Sequence, residues 1–125
     1  MSAKVLLVED SPTQAAFYRE SLEELGLQVV TIDDGSSALI YALETPPDLI
    51  VLDVNLPGMD GFQVCSRLQR SAQTKDVPII MLTQNDRAKD ASLGFKAGAI
   101  DYIAKDEFAI ETLVVTLQQI GIIEA

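Results

Sequence analysis

The sequence predicts an α/β domain built on a doubly wound, five-stranded parallel sheet with five helices. Short apolar runs alternate with segments of helical period along all 125 residues, the pattern of repeated β–α units. The run Leu49-Ile-Val-Leu-Asp53 is apolar until its last residue, as expected of a strand covered on both faces. No linker, low-complexity stretch or composition shift interrupts the alternation, so residues 1–125 are expected to form one domain.

The elements follow in order. Val5–Val8 reads as the first strand, ended by Glu9-Asp10. Ser11-Pro12 supplies an N-cap and a first helical residue. A helix to about Leu25 follows, with Ala15, Tyr18, Leu22 and Leu25 on one stripe, and Gly26 stops it. Gln28–Ile32 is the second strand. Asp33-Asp34-Gly35 opens a helix carrying Leu39, Ala42 and Leu43, closed by Pro46-Pro47.

The Leu49–Asp53 strand breaks into Asn55, Pro57, Gly58, Asp60 and Gly61, all turn formers. From Gly61 to about Ser71 a helix buries Phe62, Cys65 and Leu68, with Cys65 serving packing rather than chemistry. Ile79–Leu82 is the fourth strand, ending at Thr83. The next helix runs to about Ala97 with Ala88, Ala91 and Phe95 inward, and Gly98 is its terminating glycine. Asp101–Ala104 makes a fifth strand ending at Lys105. A last helix over about Glu107–Gln119 carries Ile110, Leu113, Val114 and Leu117, and Ile120, Ile122 and Ile123 form an apolar tail expected to tuck against the core.

Composition excludes several classes of function. Nineteen acids against nine bases give a formal charge of −10, which argues against direct binding to a nucleic-acid backbone. With no histidine in the chain, histidine-based metal or acid–base constellations are ruled out. A single cysteine permits no internal disulfide and suits a reducing compartment. No signal peptide and no apolar run of membrane-spanning length is evident, so a cytoplasmic location is expected and membrane insertion is not.

Function in an open parallel sheet sits beyond the carboxyl ends of the strands. There the sequence places Glu9 and Asp10, Asp53 with Asn55 two residues on, Thr83, and Lys105. Asp33 and Asp34 end the second strand, which an edge position would keep away from the centre. Clustered carboxylates with one lysine nearby call for a cation. All-oxygen ligands with two or three carboxylates suit hydrated Mg²⁺. A metal on one side with Lys and Thr on the other makes a phosphoryl site, and Asp53 is its candidate nucleophile.

The motifs Leu6-Leu-Val-Glu9-Asp10-Ser, Asp48-Leu-Ile-Val-Leu-Asp53-Val-Asn-Leu-Pro57-Gly-Met-Asp60-Gly61, Pro78-Ile-Ile-Met-Leu-Thr83 and Gly94-Phe-Lys-Ala-Gly98-Ala-Ile-Asp101-Tyr102 resemble those of a response-regulator receiver domain, over essentially the whole chain. The resemblance implies a flavodoxin-like strand order 2-1-3-4-5 and a phosphorylation-activated switch of a two-component system, without an output domain. Asp53 would accept a phosphoryl group from a histidine kinase or phosphotransfer protein. Asp10, Asp53 and the Asn55 backbone carbonyl would hold Mg²⁺, with Glu9 acting through water. Lys105 and Thr83 would contact the phosphoryl oxygens, and Tyr102 would rotate inward as Thr83 shifts. Asn55 and Asn85 lie where the family tunes phosphoryl loss. The fourth helix, fifth strand and fifth helix would carry the output to a downstream protein. No catalysis beyond the domain's own phosphoryl transfer and autodephosphorylation is implied.

Two positions depart from the family pattern. Asp106 follows Lys105 where a cis proline is usual. A cis Lys–Asp bond would cost about 2.5–4 kcal/mol, so the site is either strained or the loop runs trans, and the extra carboxylate competes for Lys105. Gln84 replaces a small residue after Thr83 and is expected to narrow access to Asp53. A phosphorylation-independent interaction module is therefore the alternative reading. A haloacid-dehalogenase-like phosphatase fits worse, since Asn55 stands where those carry an acid–base Asp. A flavin module fits worse still, because Glu-Asp-Ser-Pro is no phosphate-cradling loop.

Overall fold

Parallel pairing of five short strands orders the sheet β2-β1-β3-β4-β5. In this computed structural model residues 2–84 and 88–124 are described, apart from the side chains of residues 88–91 and 94. The elements are β1 (Lys4–Val8), α1 (Pro12–Glu24), β2 (Gln28–Ile32), α2 (Gly35–Glu44), β3 (Leu49–Asp53), α3 (Gly61–Gln69), β4 (Ile79–Thr83), α4 (Ala88–Ala97), β5 (Asp101–Ala104) and α5 (Ala109–Gln119). The expected strand order and alternation are both observed. None of the helices is long and apolar enough to cross a membrane, among the described residues.

The sheet divides the core in two. On one face α1 and α5 bury Tyr18, Leu22, Leu113 and Leu117 against Val5, Leu7, Val51 and Leu82. On the other α2 and α3 bury Ala38, Ala42, Val64, Cys65 and Leu68 against Leu6, Ile50, Leu52 and Met81. Central β3 is buried along its full length, which is why its sequence shows no polar alternation. The tail packs in part as expected, with Ile122 and Ile123 against the α1–α5 side while Ile120 stays exposed.

Capping sets where the helices start. Ser11 Oγ accepts the Gln14 N–H at 3.3 Å, with Pro12 at the first helical position. Asp34 caps α2 through the Ser37 N–H at 2.7 Å, and this bond holds its carboxyl below the usual range. Asp33 and Asp34 thus belong to the β2 edge and not to the central rim. Asp60 and Gln63 form a reciprocal capping box on α3. Gly61 follows it, and a Cβ there would stand 2.8 Å from Val54 Cα and collide with the Asp53 carbonyl. The end of β3 and the start of α3 are therefore packed backbone to backbone.

Two expectations are corrected. Phe95 is 52 % exposed rather than inward. Ala97, two residues on, packs against the core, its carbonyl accepting the Cys65 thiol at 3.4 Å; two residues are roughly half a turn, so Phe95 faces out, and the side chains of Ala88 and Ala91 lie outside the described residues. Helix α5 starts at Ala109 and not near Glu107, because Asp106 Oδ1 accepts the Phe108 N–H at 2.8 Å and holds residues 106–108 in a turn. Thr116 joins the α5 inner face because its hydroxyl donates to Asp101 Oδ2 at 2.5 Å.

Candidate functional site

Strand register delivers the site. Val8 lies beside Leu52, Asp53 beside Leu82 and Thr83 beside Ala104. The ladders run one rung further: the Glu9 N–H donates to the Ile32 carbonyl at 3.0 Å and the Lys105 N–H to the Thr83 carbonyl at 2.7 Å. The backbones of Glu9, Asp53 and Lys105 are thereby fixed on one rim by the sheet itself rather than by loops.

The two Asp53 oxygens have different partners, one a hydrogen-bond donor and one an ion-pair partner. Oδ1 accepts the Asn55 N–H at 3.2 Å, and Oδ2 faces Lys105 Nζ at 3.2 Å. Both side chains are only 6 % exposed. A buried charge of either sign is costly alone, and each answers the other. Lys105 Nζ also pairs with Glu9 Oε1 and donates to Gln14 Oε1 at 2.7 Å. Among the described residues the ammonium thus has Glu9, Gln14 and Asp53 oxygens around it. Glu9 Oε2 in turn accepts the Ser11 N–H at 3.1 Å.

Asp10 is exposed, yet carboxylate oxygens of Glu9, Asp10 and Asp53 come within 4.8 Å of one another. Among the described residues, three carboxylates against one ammonium leave two negative charges in excess, the charge a divalent cation would balance. The donors are all oxygen, which suits a hard ion such as Mg²⁺. The site therefore fits the metal expected of it. These groups line an open cleft of about 280 Å³, with exposed Asn55 and Gln84 also on its wall. A larger groove of about 580 Å³ runs alongside between α1 and β2. It shares Glu9 and Asp10 with the smaller cleft and is otherwise walled by Pro12, Ala15, Ala16, Arg19, Thr31, Ile32 and Asp33, whereas Asp53 and Lys105 line the smaller cleft.

The remaining expected residues lie close by. Thr83 is 1 % exposed at the end of β4. Tyr102 is half-buried on β5 against the α2–α3 side. In the β4–β5 register Tyr102 pairs with Met81 and Ala104 with Thr83, so Tyr102 and Thr83 share one sheet face. Asn85 lies outside the described residues. Lys105 is followed by a trans bond to Asp106, no cis peptide occurring among the described residues. Asp106 turns its carboxylate to Phe108, so the competition for Lys105 comes from Glu9 and Gln14 instead. Gln14 was not legible as a site residue, since it ends no strand. Tyr18, expected only as core, also borders the site: burial, then the charges of Glu9, Asp106 and Asp53, push its phenol up and keep it protonated.

Residues 5–118 match the response regulator receiver domain family. The chain belongs to this family. PilH of Pseudomonas aeruginosa is 35 % identical over 120 residues, covering 94 % of this chain and 97 % of PilH. A response regulator structure from Chloroflexus aurantiacus superposes with a TM-score of 0.90 at 35 % identity, covering 96 % of this chain and 98 % of that one. The receiver domain of the sensor histidine kinase PA1611 from P. aeruginosa, solved with magnesium coordinated in its active-site cleft, gives a TM-score of 0.86 at 33 % identity, over 95 % and 97 % of the two chains. Other curated relatives, transcriptional regulators among them, are longer, and this receiver domain spans less than half their length.

Proposed function

We propose that this receiver domain is a phosphorylation-activated switch of a two-component system, and that Asp53 is the phosphoacceptor. The observation that carries the reading is the Lys105–Asp53 pair at 3.2 Å in an open cleft shared with Glu9 and Asp10. An Asp53 carboxylate oxygen attacks phosphorus of a phosphohistidine on a histidine kinase or phosphotransfer protein. A P–O bond forms, the P–N bond breaks, and the imidazole leaves with the bonding pair. Asp10, Asp53 and the Asn55 carbonyl would hold Mg²⁺, which would supply positive charge for the phosphoryl oxygens. Magnesium in the PA1611 receiver domain supports that assignment.

The chain's own groups do the rest. Lys105 moves one donor from Asp53 to the incoming phosphoryl oxygens, where a charge-assisted bond is strongest. Glu9 would support the metal through water. Thr83 follows the phosphoryl group with its hydroxyl, and Tyr102, on the same sheet face, takes the space vacated. Asn55, Gln84, Asn85 and Asp106 tune how long the phosphoryl group stays. Output passes through α4, β5 and α5, where Phe95, Ile100, Phe108 and Val115 stand exposed as apolar anchors for a partner protein. The domain works in the cytoplasm beside its kinase and is not a general enzyme.

The alternative is a module whose partner binding ignores phosphorylation. Amide hydrogen exchange separates the two readings. With Mg²⁺ and beryllofluoride as phosphoryl mimic, the switch predicts altered exchange in β4 and β5 around Thr83 and Tyr102. The same treatment of Asp53→Asn should change nothing. Unchanged exchange in the wild-type protein would favour the constitutive module.

A further inference from the structure

We propose that Gln14 is a positioning residue that keeps the Lys105 ammonium in the cleft while its carboxylate partners change; the inference deepens the phosphoacceptor reading above and rests on it. Lys105 Nζ has three acceptors, Glu9, Gln14 and Asp53. Two of them are carboxylates of the acidic cluster. A cation bound there competes with Lys105 for both carboxylates, and a phosphoryl group competes with both carboxylates for Lys105. Gln14 is the third acceptor, is neutral, and stands outside that cluster. Among the contacts described for the ammonium, this one need not be surrendered when the site fills.

The backbone around Gln14 suits that role. Its N–H is held by Ser11 Oγ at 3.3 Å, and the Ser11 N–H by Glu9 Oε2 at 3.1 Å. Pro12 fixes the first helical φ between them. Gln14 is thereby tied to the end of β1 through two hydrogen bonds in the first turn of α1. An ammonium only donates, so the amide must present its oxygen to Nζ. A lysine on a four-carbon stem is otherwise mobile. Without Gln14 it is left to the Glu9 carboxylate, which draws it away from the phosphoryl oxygens.

The test uses the full chain with isotopically labelled lysine, as wild type, Gln14→Leu and Gln14→Glu. In the wild type the two ε-methylene protons of Lys105 should be inequivalent, because the ammonium is held. Gln14→Leu should merge them and slow phosphoryl uptake from a small acyl phosphate with Mg²⁺ by roughly 3–10-fold, the size expected for one charge-assisted bond partly replaced by water. Gln14→Glu, which keeps an oxygen at the same reach, should keep the protons inequivalent. The Gln14→Leu effect on rate should vanish in a Lys105→Met background, since it acts through Lys105. Unchanged Lys105 signals in Gln14→Leu, or the same rate loss with Lys105 absent, would overturn the proposal. If the wild type takes up no phosphoryl group the switch reading fails, and the lysine spectra still decide whether Gln14 holds Lys105.

Discussion

Lys105 Nζ lies 3.2 Å from Asp53 Oδ2 although aspartate, not proline, follows the lysine and the bond between them is trans. The strand and not the loop accounts for this. The Lys105 N–H is bound to the Thr83 carbonyl, so the side chain leaves the sheet at a fixed point whatever the next residue does. Removing the ammonium should therefore be felt across the rim. Lys105→Met leaves Glu9 and Asp53 buried without their cation and should lower the unfolding free energy by about 3 kcal/mol. Urea denaturation gives the number, and millimolar Mg²⁺ should recover part of the loss.

The two negative charges in excess at the cleft make the metal a stabilising ligand. Mg²⁺ at ten times its dissociation constant adds about 1.4 kcal/mol by mass action, which moves Tm by about 5 °C for a domain of this size. Asp10→Asn and Asp53→Asn should each shrink that shift. A melting curve indifferent to millimolar Mg²⁺ would remove the metal from the account.

Gly61→Ala tests the backbone contact beneath Asp53. A Cβ at Gly61 meets the Asp53 carbonyl and Val54 Cα, so either the start of α3 or the end of β3 must shift. Overpacking of this kind costs about 1–3 kcal/mol. Phosphoryl uptake should fall more than the stability loss explains, because the shifted strand end carries Asp53 itself. Parallel measurements of the urea midpoint and the uptake rate check this.

Cys65 should behave as packing. Burial pushes its thiol up to about 11 from an ordinary 9.0, and its Sγ is bonded to the Ala97 carbonyl. A thiol-specific reagent at pH 8 should react only as fast as the protein unfolds. Because the folded state holds the proton more tightly, this group's contribution to stability is full below pH 9.0 and declines as pH climbs toward 11. Rapid labelling of the native protein at pH 8 would contradict the burial.

Much of this was legible beforehand, for identifiable reasons. Asp53, Thr83 and Lys105 could be read because each ends an apolar run, and a parallel sheet brings such ends to one rim. Ser11 was legible as a cap from its local sequence, a serine followed by proline. Phe95 was misplaced because periodicity alone does not say which side of α4 meets the sheet; contact with Cys65 through Ala97 decides it. Gln14 was invisible: its role comes from meeting Lys105 across 91 positions, and a polar residue in a first helical turn has many simpler reasons to be there. Glu9 was expected as a group acting on the metal through water, and its pairing with Lys105 was not foreseen.

The central claim is that Asp53 takes up one phosphoryl group with Mg²⁺ present. Intact-mass spectrometry after incubation with a small acyl phosphate measures this directly. The wild-type protein should gain the mass of a single phosphoryl group, only with the metal, and Asp53→Asn should gain none. No adduct on the wild-type protein with donor and metal both present, or an equal adduct on Asp53→Asn, would contradict it.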